Sequence, residues 1–321
     1  MDVYCLYSGY IRQRRRGTGG HMSHTQVQLQ DTGASARKIT VRTLLEKKRQ
    51  RQPITALTAY DYPTARLIDE AGIDLILVGD SVAMTVLGYE STLSLTVEEM
   101  LHHARAVRRG VSRALLVVDM PYGSYHVSAD ETMRNALCFM KQGGAEAVKI
   151  EGGRRRAATV EQLTLAEIPV VGHIGLTPQS LHSMGGYRVQ GRSLPEMEEL
   201  LADAAALEDA GAVALVLEGI PRELAEEITA TVTIPTIGIG AGPGCDGQIL
   251  VFHDLFGMTF GPLAKFVRSF GDAAELMREG LEQYRAAVLE RSFPADEESY
   301  HLSAEMASGL EKLAAPVSLA S

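Results

Sequence analysis

Apolar stretches of strand length alternate with amphipathic stretches of helix length along most of the chain. The apolar runs occupy residues 54–60, 75–80, 114–119, 147–151, 170–174, 212–218, 236–240 and, as the weakest, 265–270. Their residues are apolar throughout rather than at every second position, which is typical of parallel strands that are covered on both faces. The pattern therefore predicts eight buried strands.

The segments between these runs have the hydrophobic spacing of helices. They occupy residues 63–71, 97–109, 129–142, 160–167, 195–210, 222–231 and 247–256, and a long amphipathic stretch at 272–290 closes the series. A further helix at 41–51 precedes the first strand and would cover the bottom of a barrel. Strands that alternate with helices indicate a parallel sheet, and eight such units predict an α/β fold, the (β/α)8 or TIM barrel.

A doubly wound sheet is the alternative arrangement of the same elements. Such sheets usually carry a dinucleotide-binding glycine fingerprint directly after the first strand, but residues 59–63 contain no glycine. A glycine-rich segment at 238–242 follows the seventh strand and lacks the full spacing. It is either a phosphate-binding turn or a tight loop. The missing fingerprint favours the barrel.

The two ends of the chain do not follow the alternation. Residues 1–36 contain a basic run at 12–16 with no apolar segment behind it, so they do not match a signal peptide. We expect a disordered or loosely packed extension there, with Met22 as an alternative start of translation. We expect a C-terminal tail at 301–321 with a short amphipathic stretch at 304–313. The barrel is thus predicted to occupy residues 37–300.

Composition excludes several classes of function. The 321 residues are 45% hydrophobic and carry a formal net charge of −9, which argues against nucleic acid or an anionic membrane surface as the main partner. The apolar runs are far shorter than the roughly 20 residues that a membrane span requires. Three scattered cysteines form neither a disulfide framework nor a zinc motif. These features predict a cytoplasmic enzyme.

Five consecutive predicted strands, the second to the sixth, each bring an ionisable residue to their end. These residues are Asp80, Asp119, Lys149 with Glu151, His173 and Glu218. In a barrel the carboxyl ends of the strands meet at one mouth, where active sites are found. Each residue alone could be a turn former, a helix cap or a core histidine. Four carboxylates at one mouth would repel each other unless Lys149, a metal ion or both lay among them.

Carboxylates without cysteine or clustered histidine favour Mg²⁺ over zinc. Such an ion would bind a 2-oxo acid through its keto and carboxylate oxygens, acidify the neighbouring C–H group and stabilise the resulting enolate. A carboxylate outside the metal shell could then act as the base. The spacing supports this class of reaction but does not name the substrate.

Several strings at and around these positions resemble the ketopantoate hydroxymethyltransferase family. They are TAYD at 58–61, VGDS at 78–81, DMPYGS at 119–124, VKIEGG at 148–153, GHIGLTPQ at 172–179, GGYRVQGR at 185–192, IPTIGIGAG at 234–242 and CDGQ at 245–248. The resemblance runs in order from about residue 39 to residue 300 and therefore covers nearly the whole predicted barrel.

The resemblance implies a barrel of the phosphoenolpyruvate/pyruvate superfamily type and a transferase of pantothenate and coenzyme A biosynthesis. The enzyme would move a hydroxymethyl group from 5,10-methylenetetrahydrofolate to 3-methyl-2-oxobutanoate (α-ketoisovalerate) through a Mg-stabilised enolate, giving 2-dehydropantoate. It also implies a homo-oligomer, a ring of dimers that forms a decamer in bacterial members.

The resemblance further implies a role for each matched residue. Asp80 and Asp119 would bind Mg²⁺ directly, and Glu151 would bind it directly or through water. The substrate would contact Asp80, Ser81, Asp119, Lys149 and His173. Glu218 would be the catalytic proton acceptor. The segment at 256–261 does not indicate a folate contact.

Two alternatives remain open at this point. The first is a Mg-dependent C–C lyase or mutase of the isocitrate lyase and phosphoenolpyruvate mutase type. Those enzymes usually carry a cysteine on a catalytic loop, whereas Cys138 falls within a predicted helix and Cys245 within a loop away from a strand end. The second is a non-catalytic barrel scaffold, which we would expect to have lost carboxylates that this chain retains.

Overall fold

Eight parallel strands close into a barrel in chain order in the computed structural model, which describes residues 37–314. The strands are β1 (Ile54–Thr58), β2 (Leu75–Val78), β3 (Leu115–Asp119), β4 (Ala147–Glu151), β5 (Val170–Gly175), β6 (Ala214–Glu218), β7 (Thr236–Ile239) and β8 (Gly247–Leu250). Each strand pairs with the next, and β1 pairs with β8. The predicted (β/α)8 barrel is confirmed.

Helices follow the strands around the barrel. They are α1 (Val41–Arg49), α2 (Tyr62–Glu70), α3 (Val82–Thr85), α4 (Val97–Gly110), α5 (Ala129–Cys138), α6 (Ala157–Leu165), α7 (Leu181–Met184), α8 (Leu194–Asp209), α9 (Arg222–Thr231), α10 (Phe252–Leu255), α11 (Ala273–Leu289) and α12 (Ala304–Ala314). None of them within residues 37–314 is long and apolar enough to cross a membrane. The predicted extension at 1–36 lies outside the described residues.

The eighth strand was predicted wrongly. It is β8, at the start of the segment 247–256 that we predicted as a helix, whereas residues 265–270 form an irregular loop. β8 pairs with Ile54–Leu57 of β1 and with two residues of β7. With only four residues, including a glycine and a glutamine, it has too few apolar positions to be distinguished from the start of α10.

Alternate residues of the strands belong to two separate cores, because successive side chains of a strand point to opposite faces. In β2, Leu75 and Leu77 lie in the core inside the barrel, and Ile76 and Val78 lie in the core between the strands and the helices. The continuous apolar runs of the sequence follow from this two-sided burial.

The helix α1 lies at the amino-terminal end of the barrel, as predicted. Its Leu44 packs into the interior core. Lys47 binds the carboxylate of Asp74, which precedes β2, at 2.5 Å, and Lys48 binds that of Asp246, which precedes β8, at 2.7 Å. The opposite end of the barrel, where the strands terminate, is therefore the open mouth.

Candidate active site

Polar side chains form the last layer of the barrel interior before the mouth. In β4 the inward-facing positions run from Ala147 through Lys149 to Glu151, because alternate residues share a face. The polar residues that line the cavity at the strand ends are Asp119 on β3, Lys149 and Glu151 on β4, His173 on β5 and Glu218 on β6. The structure thus brings together the residues that the strand-end pattern singled out.

Asp80 joins this layer from the turn after β2. Its backbone N–H donates to Oδ2 of Asp119 at 2.8 Å, which holds the ends of β2 and β3 together. Burial raises the pKa of Asp80 to about 8, and the nearby charges of Asp119 and Glu151 add to this effect. Burial also raises the pKa of Asp119. The two carboxylates therefore form a pair with more negative charge than their surroundings neutralise.

Lys149 is the buried cation of the site. Its Nζ atom lies 2.9 Å from Oδ1 of Asp119, 3.1 Å from Nδ1 of His173 and 3.5 Å from Oε1 of Glu151. Burial by itself would lower the pKa of Lys149, but the surrounding carboxylates outweigh it and raise the pKa. The ammonium group is thus held charged among three partners.

His173 connects Glu151 on one side to Glu218 on the other. Its Nδ1 atom lies 3.3 Å from Glu151 and its Nε2 atom lies 3.3 Å from Glu218. Burial and Lys149 lower the pKa of His173, but the two carboxylates outweigh them and raise it to about 9. Burial by itself would raise the pKa of Glu151, but Lys149 and His173 outweigh burial and lower this pKa to about 2, so Glu151 is ionised.

Glu218 is the most accessible carboxylate of the layer. Its side chain is 16% exposed, whereas that of Glu151 is 2% exposed. Gly175 has a φ of +94°, and a Cβ atom there would collide with the carbonyl oxygen of Glu218. This glycine allows β5 to pass close to the end of β6, where Leu176 N–H donates to the same carbonyl at 2.8 Å. The backbone of Glu218 is therefore fixed while its carboxylate reaches the cavity.

Ser81 follows Asp80 and is the N-cap residue of α3, and its hydroxyl lies 2.7 Å from the hydroxyl of Tyr60. Burial raises the pKa of Tyr60 to about 12, so the phenol stays protonated. Sequence reasoning assigned no role to Tyr60, although it belongs to the string at 58–61. A buried aromatic residue at a strand end carries no charge that would have marked it.

The side chains of the layer line a single cavity of about 810 Å³. Its outer wall comes from residues 258–266 and is largely apolar, with Met258, Phe260 and Phe266. Four buried polar atoms lack a well-aligned hydrogen bond within residues 37–314, and those of Thr92, Asp119 and His173 belong to residues that line this cavity. Two of these atoms face a charged neighbour within the layer, because Oδ1 of Asp119 lies 2.9 Å from Lys149 and Nε2 of His173 lies 3.3 Å from Glu218.

Asp80 and Asp119 fit a Mg²⁺ ion. Within residues 37–314, no three His, Cys, Asp or Glu side chains stand together as a complete ligand set. Mg²⁺, however, is usually held by one or two carboxylates with water and substrate oxygens in the other positions. A divalent cation would also remove the repulsion within this pair. Glu151 differs from the pair, because it already accepts from the backbone N–H of Gln179 at 2.9 Å and contacts Lys149 and His173.

Solved structures with a similar fold place the barrel in a class. A structure of 2,3-dimethylmalate lyase, described as a member of the PEP mutase/isocitrate lyase superfamily, is 20% identical with a TM-score of 0.53 and covers 85% of this chain and 95% of its own. A structure of phosphonopyruvate hydrolase in complex with oxalate and Mg²⁺ is 15% identical with a TM-score of 0.52 and covers 86% of this chain and 96% of its own. These proteins share the eight-stranded α/β barrel fold of this chain.

Sequence comparison identifies the family within that class. The profile of the ketopantoate hydroxymethyltransferase family matches residues 38–296. A 3-methyl-2-oxobutanoate hydroxymethyltransferase of Koribacter versatilis is 62% identical over 87% of this chain and 95% of its own length. The enzyme of the same name from Thermoanaerobacter sp. is 52% identical over 83% of this chain and 97% of its own length. The chain belongs to the ketopantoate hydroxymethyltransferase family, as the sequence strings predicted.

Proposed function

We propose that the protein transfers a hydroxymethyl group from 5,10-methylenetetrahydrofolate to 3-methyl-2-oxobutanoate and produces 2-dehydropantoate for pantothenate and coenzyme A biosynthesis. Its relatives carry the name of this activity. The observation that carries the proposal is the arrangement at the mouth, where a buried carboxylate pair, a charged lysine and a more accessible glutamate line one cavity. These groups can bind a 2-oxo acid and remove a proton from it.

The oxo acid would be held by its polar end. The ammonium group of Lys149 and the hydroxyl of Ser81 can donate to its carboxylate and keto oxygens, and both residues line the cavity. His173 lines the same wall of the cavity, and its Nε2 atom lies 3.3 Å from Glu218. These contacts would orient the carbon next to the keto group towards Glu218.

Asp80 and Asp119 would hold the Mg²⁺ ion, and we assign Glu151 to the surroundings of the ion, directly or through water. When bound, Mg²⁺ polarises the keto group and stabilises the negative charge that develops on its oxygen. The phosphonopyruvate hydrolase structure of similar fold contains Mg²⁺ together with oxalate, a small dicarboxylate. That complex supports the choice of Mg²⁺ as the cation in our proposal.

Glu218 would act as the base. Its carboxylate takes the proton from the carbon beside the keto group, and His173, 3.3 Å away, holds that carboxylate in place. The carbon then bonds to the methylene carbon that the folate delivers, and both C–N bonds of that methylene group break. One water supplies the hydroxyl oxygen of the product. The remaining proton of that water and the proton taken by Glu218 leave on the two nitrogens of tetrahydrofolate. The cavity of about 810 Å³ lies within the range of roughly 300–1,000 Å³ that pockets for drug-sized ligands have, and a small oxo acid fills only part of it.

Family membership favours this reaction over the two alternatives. A lyase or mutase of the isocitrate lyase type would need its cysteine at the mouth, but neither Cys138 nor Cys245 lines the cavity. A scaffold would have no use for a carboxylate pair whose pKa values are raised by burial.

We also propose that the protein is a homo-oligomer, a ring of dimers and, from the resemblance, a decamer. The support is helix α11, none of whose side chains is buried in the part of the chain that the structure describes. The helix exposes Leu276, Leu281 and Tyr284. Apolar patches of this kind mark interfaces.

Light scattering should give a mass of several chains, and Leu281→Lys should lower this mass. Glu282→Lys, which adds a lysine at the neighbouring exposed position, is the matched control. A monomeric wild type would contradict the proposal.

The decisive experiment is product formation from 3-methyl-2-oxobutanoate and methylenetetrahydrofolate, with Mg²⁺ and with a chelator. Formation of 2-dehydropantoate that depends on the metal would support the substrates and the ion together. If folded protein gives no product, the proposed function is wrong, and deuterium exchange into other 2-oxo acids would identify the substrate instead.

A further inference from the structure

Gln179 contacts the ends of three neighbouring strands. It lies in the turn after β5 and is 5% exposed. Its Nε2 atom donates to Oδ2 of Asp80 at 2.9 Å and to the carbonyl oxygen of Met120 at 3.1 Å. Its backbone N–H donates to Oε2 of Glu151 at 2.9 Å. Gln179 therefore contacts both Asp80, which belongs to the carboxylate pair, and Glu151, which lies beside Lys149.

Tyr125 determines which way the amide of Gln179 faces. The tyrosine hydroxyl donates to Oε1 of Gln179 at 2.6 Å, and burial raises the pKa of Tyr125, so the phenol remains a donor. A reversed amide would place its oxygen against Asp80 and the Met120 carbonyl, and its nitrogen against the phenol. The amide oxygen would then face other acceptors, and the Tyr125 hydroxyl would lose the acceptor to which it donates. The amide is thus held in a single orientation.

These contacts occupy one oxygen, Oδ2, of each carboxylate of the pair. Oδ2 of Asp80 accepts from Gln179, and Oδ2 of Asp119 accepts from the backbone of Asp80. The other oxygen of Asp119 lies 2.9 Å from the ammonium group of Lys149. Without the amide, Asp80 would be free to rotate away from Asp119, since the two carboxylates repel each other.

We propose that Gln179 is a positioning residue that holds Asp80 and Glu151 in the orientation in which the site binds its cation and its oxo acid, and that Tyr125 fixes the amide of Gln179. The inference rests on the proposed function for the identity of the ligands. The hydrogen bonds that carry it do not depend on that function. Residues of this kind, which orient metal ligands from behind, typically affect metal affinity or activity by about 10–100-fold.

The test compares Gln179→Leu, which removes the amide, with Tyr125→Phe, which removes only the donor to it. The matched control is Gln162→Leu on α6, because Gln162 donates to the Ala129 carbonyl on the surface at 3.2 Å. Binding of Mn²⁺ is measured by electron paramagnetic resonance without substrates. Deuterium exchange at the carbon beside the keto group of 3-methyl-2-oxobutanoate is measured without folate, and the melting temperature is measured alongside.

We expect Gln179→Leu to weaken Mn²⁺ binding by about 10–100-fold and to slow exchange by a similar factor. Tyr125→Phe should act in the same direction by a smaller factor, and Gln162→Leu should match the wild type. A lower melting temperature with unchanged Mn²⁺ affinity and exchange would overturn the proposal, because it would show a purely structural role. If Gln179→Leu does not fold, Tyr125→Phe and Gln179→Asn decide the same question.

The outcomes also separate this inference from the proposed function. If the wild type shows neither exchange nor product, the proposed function fails. Mn²⁺ titration of the variants then still tests the positioning role. If the wild type is active and the variants bind Mn²⁺ as tightly as it does, the positioning role alone is wrong.

Discussion

The two ends of the barrel both bury carboxylates, but they surround them differently. At the amino-terminal end, Asp74 contacts Lys47, Arg113 and both donors of Thr55. At the mouth, Asp80 and Asp119 adjoin each other with Lys149 as the nearest cation. The chain thus places a matched set of charges at one end and an excess of negative charge at the other.

The pKa values of Asp69, at the amino-terminal end, and of Asp80, at the mouth, move in opposite directions. Burial would raise the pKa of Asp69, but it is lowered because the carboxylate accepts from the backbone N–H groups of Ala114 and Ser112 and from the Ser112 hydroxyl. At the mouth, burial prevails, and the pKa of Asp80 is raised to about 8. The lowered pKa of Asp69 means that folding favours its charged form, and the raised pKa of Asp80 means that folding disfavours its charged form. Raised pKa values of buried acids mark sites that are kept for binding or catalysis.

The largest effect is expected from Glu218→Gln. The amide keeps the shape of the side chain but cannot accept the proton, so kcat should fall by about 10²–10⁴-fold. Mn²⁺ affinity and melting temperature should stay close to the wild type. Turnover near the wild-type rate would mean that the base is another residue and that Glu218 belongs with the structural carboxylates.

Asp80→Asn should separate stability from function at the mouth. The substitution removes a carboxylate that is repelled by Asp119, while the amide oxygen can still accept from Gln179. We expect Mg-dependent activity to be lost and the melting temperature without metal to rise by roughly 2–4 °C, the shift that about 1 kcal/mol produces in a domain of this size. A drop in melting temperature would contradict the claim that repulsion between Asp80 and Asp119 destabilises the metal-free protein.

Asp74→Asn should have the opposite effect at the other end. The carboxylate has charged partners in Lys47 and Arg113, and its loss should lower the free energy of unfolding by about 2–4 kcal/mol. The kcat of the folded enzyme should not change, because Asp74 is far along the barrel from the mouth. Urea denaturation and steady-state kinetics measure the two quantities.

A control for this variant is Glu70→Gln, which removes the exposed ion pair with Arg66 at 2.7 Å. Exposed pairs contribute little to stability, so this variant should unfold at the same urea concentration as the wild type. If Glu70→Gln loses as much stability as Asp74→Asn, burial of the ion pair does not explain the loss of stability in Asp74→Asn.

The smallest effect is expected from pH. Since the folded-state pKa values of Asp69 and Asp74 lie below the ordinary value of 3.8, their contribution to stability is present above that value. It is lost as the pH falls through the lower folded-state values. Unfolding measured between about pH 5 and pH 2 should therefore be less pH-dependent in Asp74→Asn than in the wild type. Equal slopes would show that Asp74 is not preferentially ionised in the folded protein.

Much of the fold could be predicted because the apolar runs are long and buried on both faces. Seven strands lie within or nearly match the predicted runs, and the ionisable residues at the ends of five of them, β2 to β6, meet at the mouth as the strand-end pattern predicted. β8 could not be predicted, because its place in the barrel depends on pairing with β1 and β7 rather than on its own four residues.

The sequence by itself determined the alternation of strands and helices, the strand-end positions of Asp80, Asp119, Lys149, Glu151, His173 and Glu218, and the family. Only the tertiary structure decided which buried carboxylates are neutralised and which are not. Asp74 and Asp80 lie on either side of the same strand, and nothing in their local sequence separates their charge states. The difference comes from Lys47, Arg113 and Asp119, which distant parts of the chain bring next to them. The electrostatic energy of a buried group depends on such neighbours and on its distance from water.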